Sequence, residues 1–373
     1  MIKILFFIDT TLASGGAEKV LKTLVNHMDQ TQFDITVQTV WPEEADKYLV
    51  PGIRYKSVYR ERTRLNRICF RLEAALGLTY AMHIKDDYDI EVAYLECAPT
   101  KIIASSTNKK AVKLAWVHCD LQKMVSDAGK FVRKARRWYK KYDQVVCVSD
   151  EVRQSYCQLF GNNPETIVLH NTVDDEEIRA KAMLSCPVAK RKKTAVAVGR
   201  LYKVKGYDRL LEAHNQLIRE GLDYDLWILG EGPERETLEK MIRKYDLSDS
   251  VCLLGFQENP YTFIQTADFM VSSSRYEGFS TVVTEALVLG KTVVTTPCSG
   301  MEELLGDSEF GIITEDSVEG ICKGIKAMLD SQGALDHYRK RAQERSKTFS
   351  LCMTLKKTED YFAVMAERKQ AMQ

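Results

Sequence analysis

The sequence predicts an α/β protein of two domains, each built on a parallel sheet. Short apolar runs that suit buried strands alternate along the chain with amphipathic segments that suit helices, and this alternation is typical of parallel sheets covered by helices. A length of 373 residues is more than one core usually holds and suits two domains. With 45% hydrophobic and 28% charged residues, the composition indicates a globular chain rather than a disordered one.

The N-terminal half opens on an apolar strand, residues 2–8, followed by a helix over 17–28. Its apolar positions Val20, Leu21, Leu24 and Val25 recur at helical spacing. Five further strands are predicted in this half, with helices between them, over residues 33–40, 90–95, 113–117, 144–148 and 166–169. The opening segment lacks a secretory pattern and no apolar run is long enough to span a bilayer, so we expect a cytoplasmic protein.

The C-terminal half repeats the alternation after a basic, weakly patterned run over residues 180–193. Its predicted strands cover 194–198, 225–229, 251–254, 269–271, 292–295 and 311–314, and its clearest helices cover 208–219, 234–244 and 281–289. An amphipathic helix is predicted over 349–365. Turn chemistry at 171–174 favours a domain boundary at 173, although Pro187 also suits one. We therefore predict an N-terminal domain over 1–172, a C-terminal domain over 173–348 and a terminal helical segment over 349–373.

Two carboxylates, Glu277 and Glu285, stand eight residues apart across a predicted junction between a loop and a helix. The helix begins near Ser280 and places Glu285 two turns inside. Free N–H groups and the positive end of the helix dipole at such a start suit an anionic or hydroxyl-rich ligand. For an arbitrary pair of glutamates at this spacing, solvated charges near a helix start are the simpler interpretation.

The surrounding residues favour a ligand site over solvated charges. Glu277-Gly-Phe-Ser280 and Thr284-Glu-Ala286 resemble the E-x7-E signature of retaining glycosyltransferases of family 4. Other segments of that family occur in the expected order: Gly15-Gly16-Ala-Glu18, Trp116-Val-His118, Val146-Cys-Val-Ser149, His170-Asn171-Thr-Val-Asp174, Gly199-Arg200 with Lys205-Gly206, and Gly230-Glu-Gly-Pro233. The resemblance extends from about residue 2 to about residue 362. It implies the GT-B fold, in which two Rossmann-like domains face each other across a cleft. The N-terminal domain then binds the acceptor, the C-terminal domain binds the nucleotide-sugar, and the terminal helix over 349–373 packs back on the N-terminal domain.

The resemblance also implies the reaction and its residues. A sugar leaves a nucleotide-diphosphate donor, most commonly UDP in the family, with its anomeric configuration retained and without an obligatory metal. The residues implied in catalysis are Arg200, Lys205, Glu277 and His118. Those implied in donor binding are Gly15, Gly16, Gly230, Phe256, Gly278, Phe279, Ser280, Thr281 and Glu285. Two cations at a strand's carboxyl end suit a diphosphate on chemical grounds, with Lys203 the rival of Lys205. A lone His118 is otherwise most simply a core residue.

Metal and cofactor chemistry finds little support in the sequence. The triplets Asp87-Tyr-Asp89 and Asp223-Tyr-Asp225 precede predicted strands, which is the wrong edge of a parallel sheet for a metal site, so we assign them structural roles. The ten cysteines form no C-x2-C pair and are interpreted as reduced core thiols. Gly230-Glu-Gly-Pro233 lacks the third glycine of a dinucleotide loop. We expect no cofactor and no metal.

The net charge of +1 hides two basic segments, residues 53–72 with seven cations against Glu61 alone and residues 130–141 with seven cations and no acid. They carry apolar residues as well: Tyr55, Tyr59, Ile68, Phe70 and Leu72 in the first, and Phe131, Val132, Trp138 and Tyr139 in the second. We expect membrane or acceptor contacts from Arg60, Arg62, Arg64, Arg67, Arg136 and Arg137. The alternative is a pair of solvated helix faces.

The functional prediction is therefore a cytoplasmic glycosyltransferase peripheral to the inner face of the cell membrane. Its acceptor is expected to be a glycan, plausibly linked to a polyprenyl diphosphate, in bacterial surface-polysaccharide synthesis. A nucleotide-sugar-binding or regulatory protein that has lost transfer activity is the alternative. Nucleic-acid binding is not expected, because the basic segments lack interleaved stacking platforms and no recognition motif is present.

Overall fold

A computed structural model describes residues 1–13, 15–124 and 128–371 of the chain. The chain divides into two compact units, Met1–Thr172 with Leu351–Gln373 as unit 1 and Val173–Ser350 as unit 2. Each unit contains one parallel sheet, of seven strands in unit 1 and six in unit 2. The predicted fold class, two α/β sheets with parallel strands, is confirmed. Residues 372 and 373 of the predicted terminal segment lie outside the described residues.

The sheet of unit 1 has the strand order β3-β2-β1-β4-β5-β6-β7. Its strands are β1 Ile2–Phe7, β2 Phe33–Thr39, β3 Arg54–Ser57, β4 Ile90–Ala93, β5 Val112–Val117, β6 Gln144–Cys147 and β7 Glu165–Val168. Strand β3 is absent from the strands predicted from the sequence. This strand lies at the edge of the sheet, where charged side chains are tolerated, so it lacks the apolar run that marks a buried strand.

The helices of unit 1 include a long first helix whose buried residues are the predicted Val20, Leu21, Leu24 and Val25. In chain order they are α1 Gly16–His27, α2 Arg64–Leu76, α3 Thr79–His83, α4 Ala98–Ile103, α5 Leu121–Met124, α6 Ala128–Tyr139 and α7 Asp150–Phe160. A short 3-10 helix covers Ala45–Lys47. The predicted strand-and-helix alternation therefore holds through this unit.

The sheet of unit 2 has the strand order β10-β9-β8-β11-β12-β13. Its strands are β8 Thr194–Val198, β9 Asp225–Leu229, β10 Val251–Gly255, β11 Phe269–Ser272, β12 Thr292–Thr295 and β13 Ile312–Ile313. All six had been predicted from their apolar runs. In chain order, β8, β9 and β10 extend the sheet in one direction, and β11, β12 and β13 extend it in the other. The strand order therefore reverses between the neighbours β8 and β11.

The helices of unit 2 follow the strands as connections in a parallel sheet must. They are α8 Asp175–Ala182, α9 Tyr207–Arg219, α10 Arg235–Lys244, α11 Tyr261–Thr266, α12 Thr281–Val288, α13 Met301–Leu305, α14 Val318–Asp330 and α15 Gln332–Ser346. Short 3-10 helices cover Lys203–Lys205 and Lys347–Phe349. The core of this unit lies between the sheet and helices such as α9 and α14.

The last helix, α16 Leu351–Ala371, packs on unit 1. The ring of Phe362 contacts Phe6 at 5.9 Å and Trp116 at 6.2 Å between centroids. The hydroxyl of Tyr361 donates to Oε1 of Gln144 at 2.7 Å. The end of the chain thus completes the core of the unit in which the chain begins.

The described helices and cysteines test two predictions, one on membrane spans and one on thiols. No helix among the described residues is long and apolar enough to cross a membrane. All ten cysteines are described and free, but only Cys147, Cys298 and Cys322 are buried. The interpretation of the cysteines as core thiols is therefore wrong for most of them, Cys97 and Cys352 being exposed.

Candidate active site

The predicted donor residues of unit 2 lie together at the carboxyl edge of its sheet. Arg200 and Lys205 follow β8, Gly230 follows β9, Phe256 follows β10, and the segment 277–281 follows β11. The strand order reverses between β8 and β11, and ligands of open α/β sheets bind at such a reversal, beyond the carboxyl ends of the strands. The sheet order thus places the loop with Lys205 beside the loop with Glu277.

A direct ion pair joins these two loops. Nζ of Lys205 donates to Oε1 of Glu277 at 2.6 Å, and the hydroxyl of Ser274 donates to the same oxygen at 2.6 Å. Both side chains of the ion pair are half-buried. The carboxylate therefore holds the ammonium group in place, and a small pocket lined by Lys205, Tyr207, Glu277 and Ser280 opens beside the pair.

Further hydrogen bonds fasten the loop of β8 to the loop of β11. The amide of Arg275 donates to the carbonyl of Val204 at 2.7 Å, and the hydroxyl of Ser273 donates to the carbonyl of Lys205 at 2.9 Å. Gly206 has φ +64°, and a Cβ there would stand 2.1 Å from the Ser273 carbonyl oxygen. Only glycine therefore allows this approach, which explains the Lys205-Gly206 pair of the sequence.

Two arginines that the sequence analysis did not assign support the same loops. The guanidinium of Arg275 donates to both carboxylate oxygens of Asp208, at 2.9 and 2.8 Å. Arg209 donates to the carbonyls of Ser273 at 2.8 Å and Ser274 at 2.6 Å. Nothing in the local pattern of α9 distinguishes Asp208 and Arg209 from ordinary helix-start charges, so the sequence offered no signal for this support.

Arg200 differs from Lys205 in being exposed. Its guanidinium lies 5.2 Å from the ring centroid of Tyr202, and no carboxylate of the described residues pairs with it. Lys203, the sequence rival of Lys205, is also exposed, and its backbone carbonyl accepts from Arg275 at 2.6 Å. The geometry therefore favours Lys205 over Lys203 as the lysine of the site.

The start of α12 has the predicted cap, because the Ser280 hydroxyl accepts from the amide of Val283 at 3.4 Å. Glu285 is the fifth residue of the helix, a little over one turn inside, so the predicted depth of two turns is wrong. Its side chain is buried, with 3% exposure. Phe279 is buried, with its ring centroid 5.5 Å from that of Phe349, so its side chain belongs to the packing of unit 2.

Phe256 and Gly230 complete the edge. Phe256 is 73% exposed, which leaves its ring free to stack on a planar ligand. Gly230 has φ +141°, and a Cβ there would stand 2.0 Å from the carbonyl oxygen of Gly199. The loops after β8 and β9 therefore meet backbone to backbone, which requires glycine at this point.

The predicted residues of unit 1 follow β1 and β5. Gly15 and Gly16 lead into α1, and His118 follows β5 with its ring 4.6 Å from that of Tyr94. Nε2 of His118 is buried without a hydrogen-bond partner among the described residues. Burial lowers the pKa of His118 to about 3, partly offset by a hydrogen bond to the Tyr94 carbonyl. The ring is neutral near pH 7 and can both donate and accept hydrogen bonds.

Carboxylates that the sequence analysis did not assign surround the same edge. Oε1 of Glu96 accepts from the amides of His118 and, at 3.1 Å, of Cys119, and burial raises the pKa of Glu96. Burial also raises the pKa of Asp9 to about 6, with a smaller contribution from Glu18. These acids follow the ends of β1 and β4, a position that became visible only with the strand order.

The basic segments are only partly as predicted. Tyr59 stacks on Trp41 at 5.4 Å and donates to Glu73 at 2.8 Å, Phe70 packs against Trp41 at 6.1 Å, and Tyr139 is buried. These three aromatic side chains pack against the protein beneath the helices and do not face solvent, so they are not available to a membrane surface. The six arginines expected to contact membrane or acceptor are exposed.

The D-x-D triplets have structural contacts. Asp89 accepts from the amide of Lys3 at 2.8 Å, and the buried carboxylate of Asp225 accepts from Arg191 at 3.3 Å. Across residues 1–13, 15–124 and 128–371, no group of three or more His, Cys, Asp or Glu residues is arranged to hold a metal.

Comparison with known proteins identifies the family. The description "Glycosyltransferase Family 4" matches residues 14–177, and "Glycosyl transferases group 1" matches residues 180–346. The chain belongs to glycosyltransferase family 4. It is 29% identical over 349 residues to the N-acetylgalactosamine-N,N'-diacetylbacillosaminyl-diphospho-undecaprenol 4-alpha-N-acetylgalactosaminyltransferase of Campylobacter jejuni, covering 91% of this chain and 93% of that protein.

Solved structures show that this glycosyltransferase has the GT-B fold. The Anabaena protein Alr3699/HepE in complex with UDP-glucose has a TM-score of 0.78 at 18% identity, covering 98% of this chain and all of that chain. The sucrose-phosphate synthase of Thermosynechococcus elongatus has a TM-score of 0.80 at 17% identity, with the same coverage. At these identities the likeness concerns the fold.

Proposed function

We propose that this glycosyltransferase moves a sugar from a UDP-sugar to a saccharide linked to a polyprenyl diphosphate, with retention of anomeric configuration and without a metal. The observation that carries the proposal is the pairing of Lys205 with Glu277 beside the exposed Arg200 at the strand reversal of unit 2. The name of the Campylobacter relative, which includes a diphospho-undecaprenol acceptor, supports the lipid-linked acceptor. We place the enzyme at the cytoplasmic face of the membrane in surface-polysaccharide synthesis.

The diphosphate is the part of the donor that these residues suit best. Arg200 is free to chelate two phosphate oxygens, and Lys205 adds a positive charge whose position Glu277 and Ser274 maintain. The N-terminus of α12 contributes amide donors in the same region. Donors held in place before the reaction stabilise the charge that develops on the leaving diphosphate without reorganisation.

Transfer then breaks the bond between the anomeric carbon and the β-phosphate oxygen and forms one to the acceptor oxygen on the same face. The acceptor proton passes to the departing diphosphate. Glu277 is a poor nucleophile for a covalent intermediate, since one of its oxygens already accepts two hydrogen bonds. Its role in this scheme is to position Lys205 and to contact the sugar.

The uridine and the sugar occupy the remaining residues of the edge. Phe256 offers an exposed ring to the base, and Glu285 is assigned to the ribose hydroxyls by the family signature. Within unit 1, the family resemblance assigns contacts with the sugar and the diphosphate to neutral His118, whose Nε2 has no hydrogen-bond partner among the described residues, and to the backbone of Gly15 and Gly16. Unit 1 also takes the acceptor.

Ligand-induced stabilisation followed by transfer tests this proposal. Nucleotides and nucleotide-sugars are screened by thermal unfolding, where a ligand at 100 times its dissociation constant adds about 2.7 kcal/mol. We expect stabilisation by UDP and by one or a few UDP-sugars. Transfer to a synthetic polyprenyl-diphosphate saccharide is then measured with and without EDTA, and NMR gives the anomeric configuration of the product. Arg200→Ala is the inactive control for the transfer assay. It should lose turnover without unfolding, because an exposed side chain can be removed without disturbing the fold.

The outcomes separate enzyme from binding protein. Stabilisation by UDP-sugars without any transfer or donor hydrolysis would support a protein that binds nucleotide-sugars and has lost activity. An inverted product, or a rate abolished by EDTA and restored by a divalent cation, would overturn the proposed mechanism.

A further inference from the structure

We propose that α2 and the neighbouring basic helix α6 form a surface of unit 1 that docks on anionic phospholipid bilayers, with one face of α2 entering the interface. This inference goes beyond the transfer reaction, and it does not depend on which sugar is moved. It concerns where the enzyme meets a lipid-linked acceptor.

Helix α2 presents an apolar row to solvent. The row consists of side chains at spacings of three, four and four residues, so they lie on one helical face. Their exposures are 68% for Leu65, 54% for Ile68, 58% for Leu72 and 71% for Leu76. None of the residues of α2 is buried, although Phe70 and Glu73 face the protein. A helix that keeps four large aliphatic side chains in water has no partner for that face within the described part of the chain.

A second row of α2 is cationic. Arg64, Arg67 and Arg71 each precede a member of the apolar row, so the arginine row lies directly beside it on the helix. No carboxylate within the described part of the chain pairs with these three arginines. Long basic side chains beside an apolar face are typical of helices that lie in the plane of a membrane interface, with the apolar face inserted and the cations at the headgroups.

The fold places a second basic helix, α6, on the other side of α4 from α2. Helix α4 lies between α2 and α6, and its Lys101 donates to the carbonyl of Ala75 in α2 at 3.1 Å and stands 6.0 Å from the ring centroid of Trp138 in α6. The exposed cations of α6 and the turn after it are Lys130, Arg133, Lys134, Arg136, Arg137, Lys140 and Lys141. Two basic segments that are about 60 residues apart in sequence therefore belong to two helices that both pack on α4.

The positive charge of this surface indicates which partner covers the apolar row of α2. A second copy of the chain would bring two sets of unpaired arginines together, which opposes dimerisation through this face. An anionic leaflet attracts the same arginines and accepts the apolar row at once. Leu78, the residue before α3, and Met82 within α3 are exposed as well. The aromatic side chains of the region stay in the protein, so the aliphatic row is the part that enters.

Vesicle flotation tests the surface with the full-length protein and no substrate. The vesicles are phosphatidylcholine alone or mixed with phosphatidylglycerol. We expect the partition coefficient to be about tenfold or more higher on the anionic vesicles and to fall with salt. The row variant Leu65→Ser, Ile68→Ser, Leu72→Ser and the charge variant Arg64→Ser, Arg67→Ser, Arg71→Ser should each lose most of this binding.

Matched variants distinguish loss of this surface from loss of exposed apolar side chains elsewhere and from unfolding. Met183→Ser with Leu184→Ser removes two side chains in unit 2 that are 88% and 63% exposed, and it should bind vesicles like the wild type. Replacing the three arginines with lysine keeps the charge and should keep binding. UDP affinity and thermal unfolding should be unchanged in every variant, so a failure of the proposed donor chemistry would appear in the UDP measurement alone.

Three results would overturn the inference. One is equal binding to neutral and anionic vesicles, and another is wild-type binding by the row variant. The third is a dimer in solution that the row variant converts to a monomer, because the apolar row would then serve self-association.

Discussion

Loss of Lys205 should affect stability and turnover together, whereas loss of Arg200 should affect turnover alone. Lys205→Ala removes one of the two hydrogen bonds that Oε1 of Glu277 accepts and leaves a half-buried carboxylate without its cation. A hydrogen bond to a charged group contributes about 1.5 to 3 kcal/mol. Water reaches both partners in part, so we expect a loss of about 1 to 2 kcal/mol in the free energy of unfolding.

The thermal midpoint reports this loss. For a domain of the size of unit 2, it corresponds to a decrease of about 2 to 8 °C in the unfolding midpoint of Lys205→Ala, measured without ligand. Arg200→Ala and Lys203→Ala remove cations that have no carboxylate partner in the described structure, and they should unfold like the wild type. Turnover should fall by about a hundredfold or more in Arg200→Ala and Lys205→Ala, as loss of a preorganised charge partner usually does, and should change little in Lys203→Ala.

The double variant Lys205→Ala with Glu277→Gln provides the decisive control. Without the carboxylate no charge is left unpaired, so the midpoint should recover most of its loss while turnover stays low. Equal midpoints for all three single variants, or no recovery in the double variant, would refute the reasoning from the ion pair. Wild-type turnover in Lys205→Ala, with unchanged donor affinity, would remove Lys205 from the phosphate site.

Three further predictions concern the remaining polar groups. Glu285→Gln should weaken UDP binding by about 10- to 150-fold in calorimetry, since a charged hydrogen bond contributes about 1.5 to 3 kcal/mol, whereas Glu277→Gln should lower transfer more than UDP affinity. UDP affinity insensitive to Glu285 would contradict this division. Asp9 has a pKa of about 6 in the folded protein and 3.8 as its ordinary value, so its proton is held more tightly in the folded state and stability is lost as the pH rises from about 4 through 6. Asp9→Asn should therefore raise the free energy of unfolding by about 1 to 3 kcal/mol at pH 7.5, with the gain vanishing below about pH 4 in urea titrations. His118, whose pKa is lowered to about 3, should show no ring titration by NMR between pH 5 and pH 8, and a midpoint near its ordinary 6.5 would show that the ring is not buried in solution.

The sequence alone determined which segments become strands and helices over most of the chain. Apolar runs such as 194–198 and the stripe of Val20, Leu21, Leu24 and Val25 are local patterns, and burial on one face follows from their period. The edge strand β3 was not predicted, because its charged residues lack that pattern. The Lys205-Gly206 pair could also be recognised in the sequence. The reason for the glycine could not, because it is the close Ser273 carbonyl, which leaves no room for a side chain.

Only the tertiary structure decided which distant residues meet and which faces stay in water. Lys205 and Glu277 are 72 residues apart, and the pairing of β8 with β11 makes them neighbours. Composition could show that residues 53–72 are basic and partly apolar, but not that Phe70 packs inward while Leu72 points to solvent. The pKa values of Asp9 and His118 likewise depend on burial by segments far away in sequence. Local patterns select conformation, whereas contacts, exposure and charge environment arise from the packing of the whole unit.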